Sequence, residues 1–371
     1  MNKAFYDLIY LCGCAVNEVR PDANKVCEMD MEQLYKLSKF HTLTAITAFA
    51  LESCGTENNE FKQAKEKAIR KNMFLDNERM KLFNHLEQNG IWYMPLKGSI
   101  LKNLYPQYGM RQMADNDILF DLKYRSAVKE YFQANGYKII SYAHENHDIY
   151  EKLPVLNFEM HTSLFGKHHD KKCQEYYGNI KSKLVKDEVG NFGYHFFDED
   201  FYIYITMHEY KHYSEGGTGL RSLLDRYVFL QKKSETLGWK YIESECEKLG
   251  IADFEKQSRV LAEKVFGTGE KAELTEEDKR MLEKYLNSGT YGTLESLIKS
   301  SMEKYAEKSG KASKINYAVN RLFPDKEWYE AYKPFYNRHS YLKPFFVLFR
   351  FFRGVFFRRN KVMVEFRVLR K

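Results

Sequence analysis

Between Met94 and Phe120 the chain reads MPLKGSILKNLYPQYGMRQMADNDILF: a Lys-Gly-Ser turn follows one apolar segment, and the acidic pair Asp115 and Asp117 enters a second. Side chains at i and i+2 of a strand leave the same face, so a strand opening at Asp115 aims both carboxylates at one point in space. Hard oxygen ligands placed this way suit Mg2+, which binds through one or two carboxylates and completes its octahedron with waters and substrate phosphates. Gly98 lets backbone N–H groups come close to such phosphates, with Lys97 and Ser99 on either side of it. The stretch points to a site for a metal-bound nucleoside triphosphate.

A chain of 371 residues with 44% hydrophobic content can build two or three packed units, so it is read as folded. It contains no run of eighteen apolar residues, and its first segment carries Asp7 inside the apolar part without a convincing cleavage site. Secretion and membrane spanning are therefore not expected, and the expected location is the cytoplasm, with peripheral membrane contact as a variant. Cys12, Cys14, Cys27, Cys54, Cys173 and Cys246 have neither paired CxxC spacing nor scaffold density, and are expected as buried free thiols. Charge is uneven. From Arg338 onward ten Lys and Arg residues face the single acid Glu365, giving +9 against +7 for the whole chain, so the remainder sums to −2.

Along the chain, apolar residues from Ala4 to about Gln88 recur at helical spacing, with breaks at Arg20-Pro21 and Cys54-Gly55. Four or so helices are expected over 1–89, the last charged along a solvated face. Over 90–198 the reading is mixed α/β: a strand Ile91 to Pro95, a helix Ser99 to Tyr105, a strand Asp115 to Phe120, a helix Tyr124 to Gln133, a strand Tyr137 to Tyr142, and a hairpin of Asp148 to Lys152 with Val155 to Thr162. Helices return over 199–310, from Asp200 to Lys308, and a basic aromatic tail occupies 311–371. The Gly216-Gly217-Thr218-Gly219 turn follows no strand and is read as a flexible helix connection.

Three patterns carry alternatives. In Leu156 to His161, Asn157, Glu159 and His161 share one face, either polar residues facing water or a further acid for the site. His208-Glu209-Tyr210-Lys211-His212 satisfies H-E-x-x-H, which on a helix can hold Zn2+ for a metallopeptidase, but no third ligand stands out. In the tail, Phe345 to Arg359 interleaves aromatic and cationic side chains, suited to a membrane surface or partner protein through 341–371, to packing on the domain, or, less favoured, to nucleic acid.

Leu96-Lys97-Gly98, Leu104-Tyr105-Pro106, Arg111 and Asp115-Asn116-Asp117-Ile118-Leu119-Phe120 resemble the DNA polymerase beta-like nucleotidyltransferase superfamily, and within it a branch of uncharacterised bacterial nucleotidyltransferases. Asn116 departs from the branch, which has an aliphatic residue there. Glu159 and His161 match its acid two residues before a His, and Leu220-Arg221-Ser222-Leu223-Leu224-Asp225 matches its Leu-Arg-x-x-x-Asp. The branch also ends in a Pro-bounded, Arg-rich segment. The resemblance implies an α+β fold, a small mixed sheet of nucleotidyltransferase type flanked by N-terminal and C-terminal helical regions. It implies transfer of a nucleoside monophosphate from an NTP to an acceptor with release of pyrophosphate. Asp115, Asp117 and Glu159 would hold two Mg2+ or Mn2+ ions, Gly98 and Ser99 would present donors to phosphates, and Lys97 and Arg111 would neutralise them. Arg221 is a further nucleotide-binding candidate, an Arg221-Asp225 helix pair being its plainer role, and His161 and His212 are accessory candidates. The acceptor is a small molecule, a peptide or a protein. The alternative is a catalytically inactive nucleotide-binding or interaction module.

Overall fold

A computed structural model describes residues 3–144, 146–166, 171–269, 273–290, 292–309, 314–324, 326, 328–329, 333–357 and 359–370. The expected boundary at 310/311, and Arg358 and Lys371 of the tail, lie outside them.

The first region is helical: α1 (Lys3–Val16), α2 (Ala23–Cys27), α3 (Met31–Phe40), α4 (Thr44–Ser53) and α5 (Asn59–Gln88). The helix absent from the sequence reading is α2, a short turn started by Asp22, whose carboxylate accepts from the Asn24 N–H; Asp30 starts α3 in the same way. Asn58 caps α5 by accepting from the Glu60 and Phe61 N–H groups. At 30 residues α5 runs about 45 Å. It buries a narrow stripe, Phe61, Ala68, Asn72, Leu75, Leu82 and Leu86, so it serves two cores at its two ends.

The sheet is built from β1 (Tyr93–Pro95), β2 (Asn116–Phe120), β3 (Lys138–Ser141), β4 (His147–Lys152) and β5 (Leu156–His161), in the order β1-β2-β5-β4-β3. Only β2 and β5 pair in parallel; the other neighbours are antiparallel. Ile118, Phe120, Phe158 and Met160 leave one face and pack under α5 and α7 (Arg125–Ala134). Asp117, Glu159 and His161 leave the other. Between β1 and β2 lies α6 (Gly98–Leu101), continued by a 3-10 turn at Lys102–Leu104. The fold is α+β, a small mixed sheet with helical flanks.

Residues 162–197 carry elements that the sequence pattern does not reveal, α8 (Lys171–Tyr177) and a two-stranded hairpin of β6 (Leu184–Lys186) and β7 (Tyr194–Phe196). The loop between those strands is caught by Glu87 at the end of α5, whose carboxylate accepts from the N–H groups of Asn191, Phe192 and Gly193.

Then come α9 (Asp198–Ser214), α10 (Leu220–Lys233), α11 (Trp239–Leu249), α12 (Ala252–Phe266), α13 (Glu276–Ser288), α14 (Leu294–Ser309) and α15 (Lys314–Leu322). The first helices do not have a core to themselves: Leu8, Leu11, Ile46 and Leu51 share one with Leu223, Leu224, Leu261, Leu282 and Tyr285. Tyr202, Tyr204, Ile242 and Leu249 form a second against the Met94, Leu96 and Leu119 side of the sheet. The Gly216–Gly219 connection is a packed crossing, not the flexible link expected. A Cβ on Gly219 would lie 2.6 Å from the backbone of Gly289 and Thr290, and one on Gly217, whose φ is +87°, 2.0 Å from Ser288 Oγ. Five of the cysteines are buried free thiols as expected, but Cys27 is exposed.

Among the described tail residues, α16 (Pro334–Arg338), α17 (Lys343–Phe357) and α18 (Arg359–Arg370) are helical, and Val368 packs on Ile298 and Tyr317. No helix of the described residues is long and apolar enough to cross a membrane.

One buried ion pair ties α9, α10 and α13 together. Arg226 donates from Nε to Glu209 Oε2 at 3.1 Å and from Nη1 to the Tyr202 hydroxyl at 2.9 Å, while the Tyr285 hydroxyl donates to Glu209 Oε1 at 2.7 Å. Removing the cation strands a buried carboxylate. Arg226→Met is expected to lower unfolding free energy by about 3–5 kcal/mol in urea titrations, and the double variant Arg226→Met/Glu209→Gln to recover part of it.

Candidate active site

After β1 the chain turns sharply. Lys97 adopts φ 45° and ψ −112°, a left-handed conformation rarely taken by a residue with a side chain, and its carbonyl accepts from the N–H groups of Ile100 and Leu101 to start α6. The turn is pinned to β2, since the Leu96 N–H donates to the Asp117 carbonyl at 2.9 Å. It carries Lys97 Nζ to 2.8 Å from Asp117 Oδ1. Gly98 is required by close approach, because a Cβ there would lie 2.5 Å from Arg111 Nη1 and 3.0 Å from Met113 Sδ.

Asp115 precedes β2 by one residue, and the strand proper opens at Asn116. Asp117 stands directly beside Glu159 in the parallel pairing of β2 and β5, and one step further Leu119 stands beside His161. His161 Nε2 lies 2.9 Å from Asp117 Oδ1 and 3.7 Å from Glu159 Oε2, and His147 on β4 reaches 3.9 Å from the same Glu159 oxygen. A cleft of about 310 Å³ opens over this face, lined by Lys97, Gly98, Asp115, Asp117 and Glu159 on the sheet side and by His208, His212, Arg221 and Ser222 on the α9 and α10 side. That volume falls at the lower end of small-ligand pockets.

The electrostatics are those of a donor set short of positive charge. Burial, then the neighbouring Asp117 charge, pushes Asp115 up to about 6. Burial, then the charges of Asp117 and Asp115, pushes Glu159 up to about 8. Burial alone would raise Asp117 too, but Lys97 and His161 hold it well below the usual carboxylate range. Lys97 resists its own burial through Asp117 and stays charged. His161 is lowered to about 4 by burial, so it is neutral and offers its Nε2 proton to Asp117. Crowded oxygen donors of this kind fit a divalent cation, whose charge would relieve their mutual repulsion. The ligand atoms of His147, Glu159 and His161 also lie within 4.8 Å of one another, the one group of at least three such residues among those described.

The comparisons with known proteins bear on this geometry. A family model described as uncharacterised nucleotidyltransferase matches residues 28–267, which spans the sheet, the cleft and α9 to α12. The chain belongs to that family. No curated protein and no solved structure matches it. Membership supports general nucleotidyl transfer and implies a nucleotide substrate. The matched segment stops short of α13 and the basic tail.

Within this cleft, several of the expected ligands have protein partners of their own. Arg111 is engaged: its Nε and Nη2 donate to Asp225 Oδ1 and Oδ2 at 2.7 and 2.8 Å, and the Tyr105 hydroxyl donates to the same carboxylate at 2.7 Å. It therefore braces the wall behind Gly98, and Asp225, the helix partner expected for Arg221, is engaged by Arg111. Arg221 lines the cleft and donates to the Gln112 carbonyl at 3.4 Å. The Ser99 hydroxyl donates back to the Leu96 carbonyl at 2.8 Å, within its own turn. Glu209 of the H-E-x-x-H pattern is taken by Arg226, which removes the base a metallopeptidase needs, although His208 and His212 approach to 3.3 Å between Nε2 atoms.

The sequence reading missed the side chains of α5 that hold the site loop. Asn72 donates to the Arg111 carbonyl at 3.0 Å and accepts from the Met113 N–H at 3.2 Å, and Lys71 donates to the Ala114 carbonyl at 2.8 Å. Asn116 explains its departure from an aliphatic pattern: it donates to the Leu75 carbonyl at 2.9 Å and accepts from Arg79 at 2.9 Å, locking β2 onto α5. Burial of an Asn on the helical stripe was the available signal at Asn72.

Lys97→Gly and Lys97→Ala both remove the ammonium, but only glycine takes the left-handed turn without strain. In urea unfolding the glycine variant is expected to be more stable than the alanine variant by about 1 kcal/mol, after allowing for glycine's greater unfolded-chain entropy.

Proposed function

We propose that this protein is a metal-dependent nucleotidyltransferase of the DNA polymerase beta-like superfamily, moving a nucleoside monophosphate from an NTP to an acceptor hydroxyl and releasing pyrophosphate. The observation that carries the reading is the pairing of Asp117 with Glu159 across two parallel strands, with Asp115 two residues before Asp117 and the Gly98 turn beside them in one cleft. Asp115, Asp117 and Glu159 would hold the divalent ions, Mg2+ or Mn2+. Bound there, such ions would supply charge neutralisation for the triphosphate and for the attacking and leaving oxygens.

The chain's own groups do the rest. Lys97, held charged beside Asp117, is placed to meet the negative charge that builds on phosphate oxygens as the bond to the leaving pyrophosphate breaks. Gly98 admits phosphate to the backbone at the start of α6, while Arg111 fixes the other side of that turn through Asp225. Arg221 and His212 stand on the helical wall across from the carboxylates, where the nucleotide or the acceptor enters. Neutral His161 orients Asp117. The zinc-peptidase reading loses its base to Arg226 and is not carried further.

Asp115→Asn and Asp117→Asn are each expected to cut transfer from an α-labelled NTP by at least about 10²-fold with far-UV dichroism unchanged. Undiminished transfer would remove the mechanism, and Mg2+-dependent nucleotide binding without turnover over a broad acceptor panel would favour the inactive module. Cation binding should also depend on pH. Because Glu159 and Asp115 are raised to about 8 and about 6, they carry protons below those values, and an ion must displace them. Apparent Mn2+ affinity is expected to fall as pH drops from about 8 to about 6, with proton release seen as buffer-dependent heat in calorimetry.

A further inference from the structure

One helix of the basic tail presents a surface that the cleft chemistry does not use. Along α17, Phe345, Phe349, Phe352 and Phe356 recur at steps of three and four, so they share one narrow face. Their exposures are 68%, 57%, 53% and 66%, and Leu348 at 55% widens the stripe. The opposite side of the helix is satisfied: Phe346 is buried against Tyr336, Tyr329 and Trp328, and Arg350 lies 4.5 Å over the Trp328 ring. The phenylalanine stripe is thus the outer face of a helix already anchored on its inner one. Contiguous exposed apolar surface of this kind marks an interaction site.

Charge identifies the occupant. Arg353 is exposed beside the stripe, Arg359, Arg367 and Arg370 are exposed on α18, and the only acid of the segment, Glu365, is paired with Arg321. At 15 residues α17 is too short to cross a bilayer but long enough to lie along one, with aromatic rings at the acyl boundary and guanidinium groups at the phosphates. A nucleic acid would satisfy the arginines but leave a row of unreading phenylalanines, and a neutral protein groove would leave the surplus of cations unmatched.

We propose that α17 docks this protein in the interfacial plane of an anionic lipid leaflet, with Phe345, Phe349, Phe352 and Phe356 inserted and Arg353 and Arg359 on the headgroups. The test is flotation of the full chain with vesicles of phosphatidylcholine alone or with added phosphatidylglycerol. The acidic vesicles should carry the protein, salt should weaken the binding, and Phe349→Ser/Phe352→Ser/Phe356→Ser should reduce partition at least about tenfold. Arg353→Glu/Arg359→Glu should abolish the preference for acidic over neutral vesicles. These side chains are exposed and outside the cleft, so the thermal midpoint and elution volume of both variants should match the parent. The proposal is overturned if the parent does not float with acidic vesicles, if the triple serine variant floats as well as the parent, or if that variant only dissolves a dimer that binds no lipid.

Discussion

Repulsion among three carboxylates is the constraint around which the rest of the molecule is arranged. Parallel pairing puts Asp117 and Glu159 side by side, and Asp115 joins them from the residue before the strand. Left alone, such a cluster would drive its strands apart or take up protons, and two of the three do shift toward protonation. The neighbouring structure contains the rest. Lys97 is bent into a left-handed turn that brings its ammonium against Asp117, and α5 clamps both the loop before β2 and the first residue of β2. Strain in the turn and rigidity in the clamp are two answers to the same electrostatic demand.

The acidic face was legible in the sequence because its signal is local. Side-chain alternation alone places Asp115 with Asp117 and Glu159 with His161, and the breaks read at Arg20-Pro21 and Cys54-Gly55 fall between helices. What escaped depends on partners far along the chain. Nothing near Arg111 in the sequence shows that this cleft-lining residue is also held by Asp225, 114 residues later. The glycines at 216–219 look like a loose link until Gly289, Thr290 and Gly292 are seen to cross them. Asn116 looks like a flaw in a strand until α5 supplies its two hydrogen bonds. The short elements of 162–197 escaped because each gains its burial from other segments, as Phe196 does from Met94, Leu96 and α9.

Histidine and arginine illustrate how burial decides role. His208 and His212 adopt the spacing of a metal pair, but the glutamate between them is locked to Arg226 and turned to a structural task. His161, by contrast, is brought to the carboxylates by β5 and kept neutral there, so it adjusts Asp117 without adding charge. Histidines thus stand on both walls of the cleft, His208 and His212 on the helical side and His161 against the carboxylates.

The crossing at Gly219 has a consequence for how the chain can be divided. The segment that matches the family stops before α13, yet α13 delivers Met281, Leu282, Tyr285 and Leu286 to the interior, and the residues just past it lie across the turn that launches α10. At the other end, α1 supplies Leu8 and Leu11 from ahead of the match. A fragment trimmed to the recognisable homology would expose its own interior on both flanks and lose the segment packed over Gly219. The smallest autonomous piece is larger than the piece that inheritance makes visible.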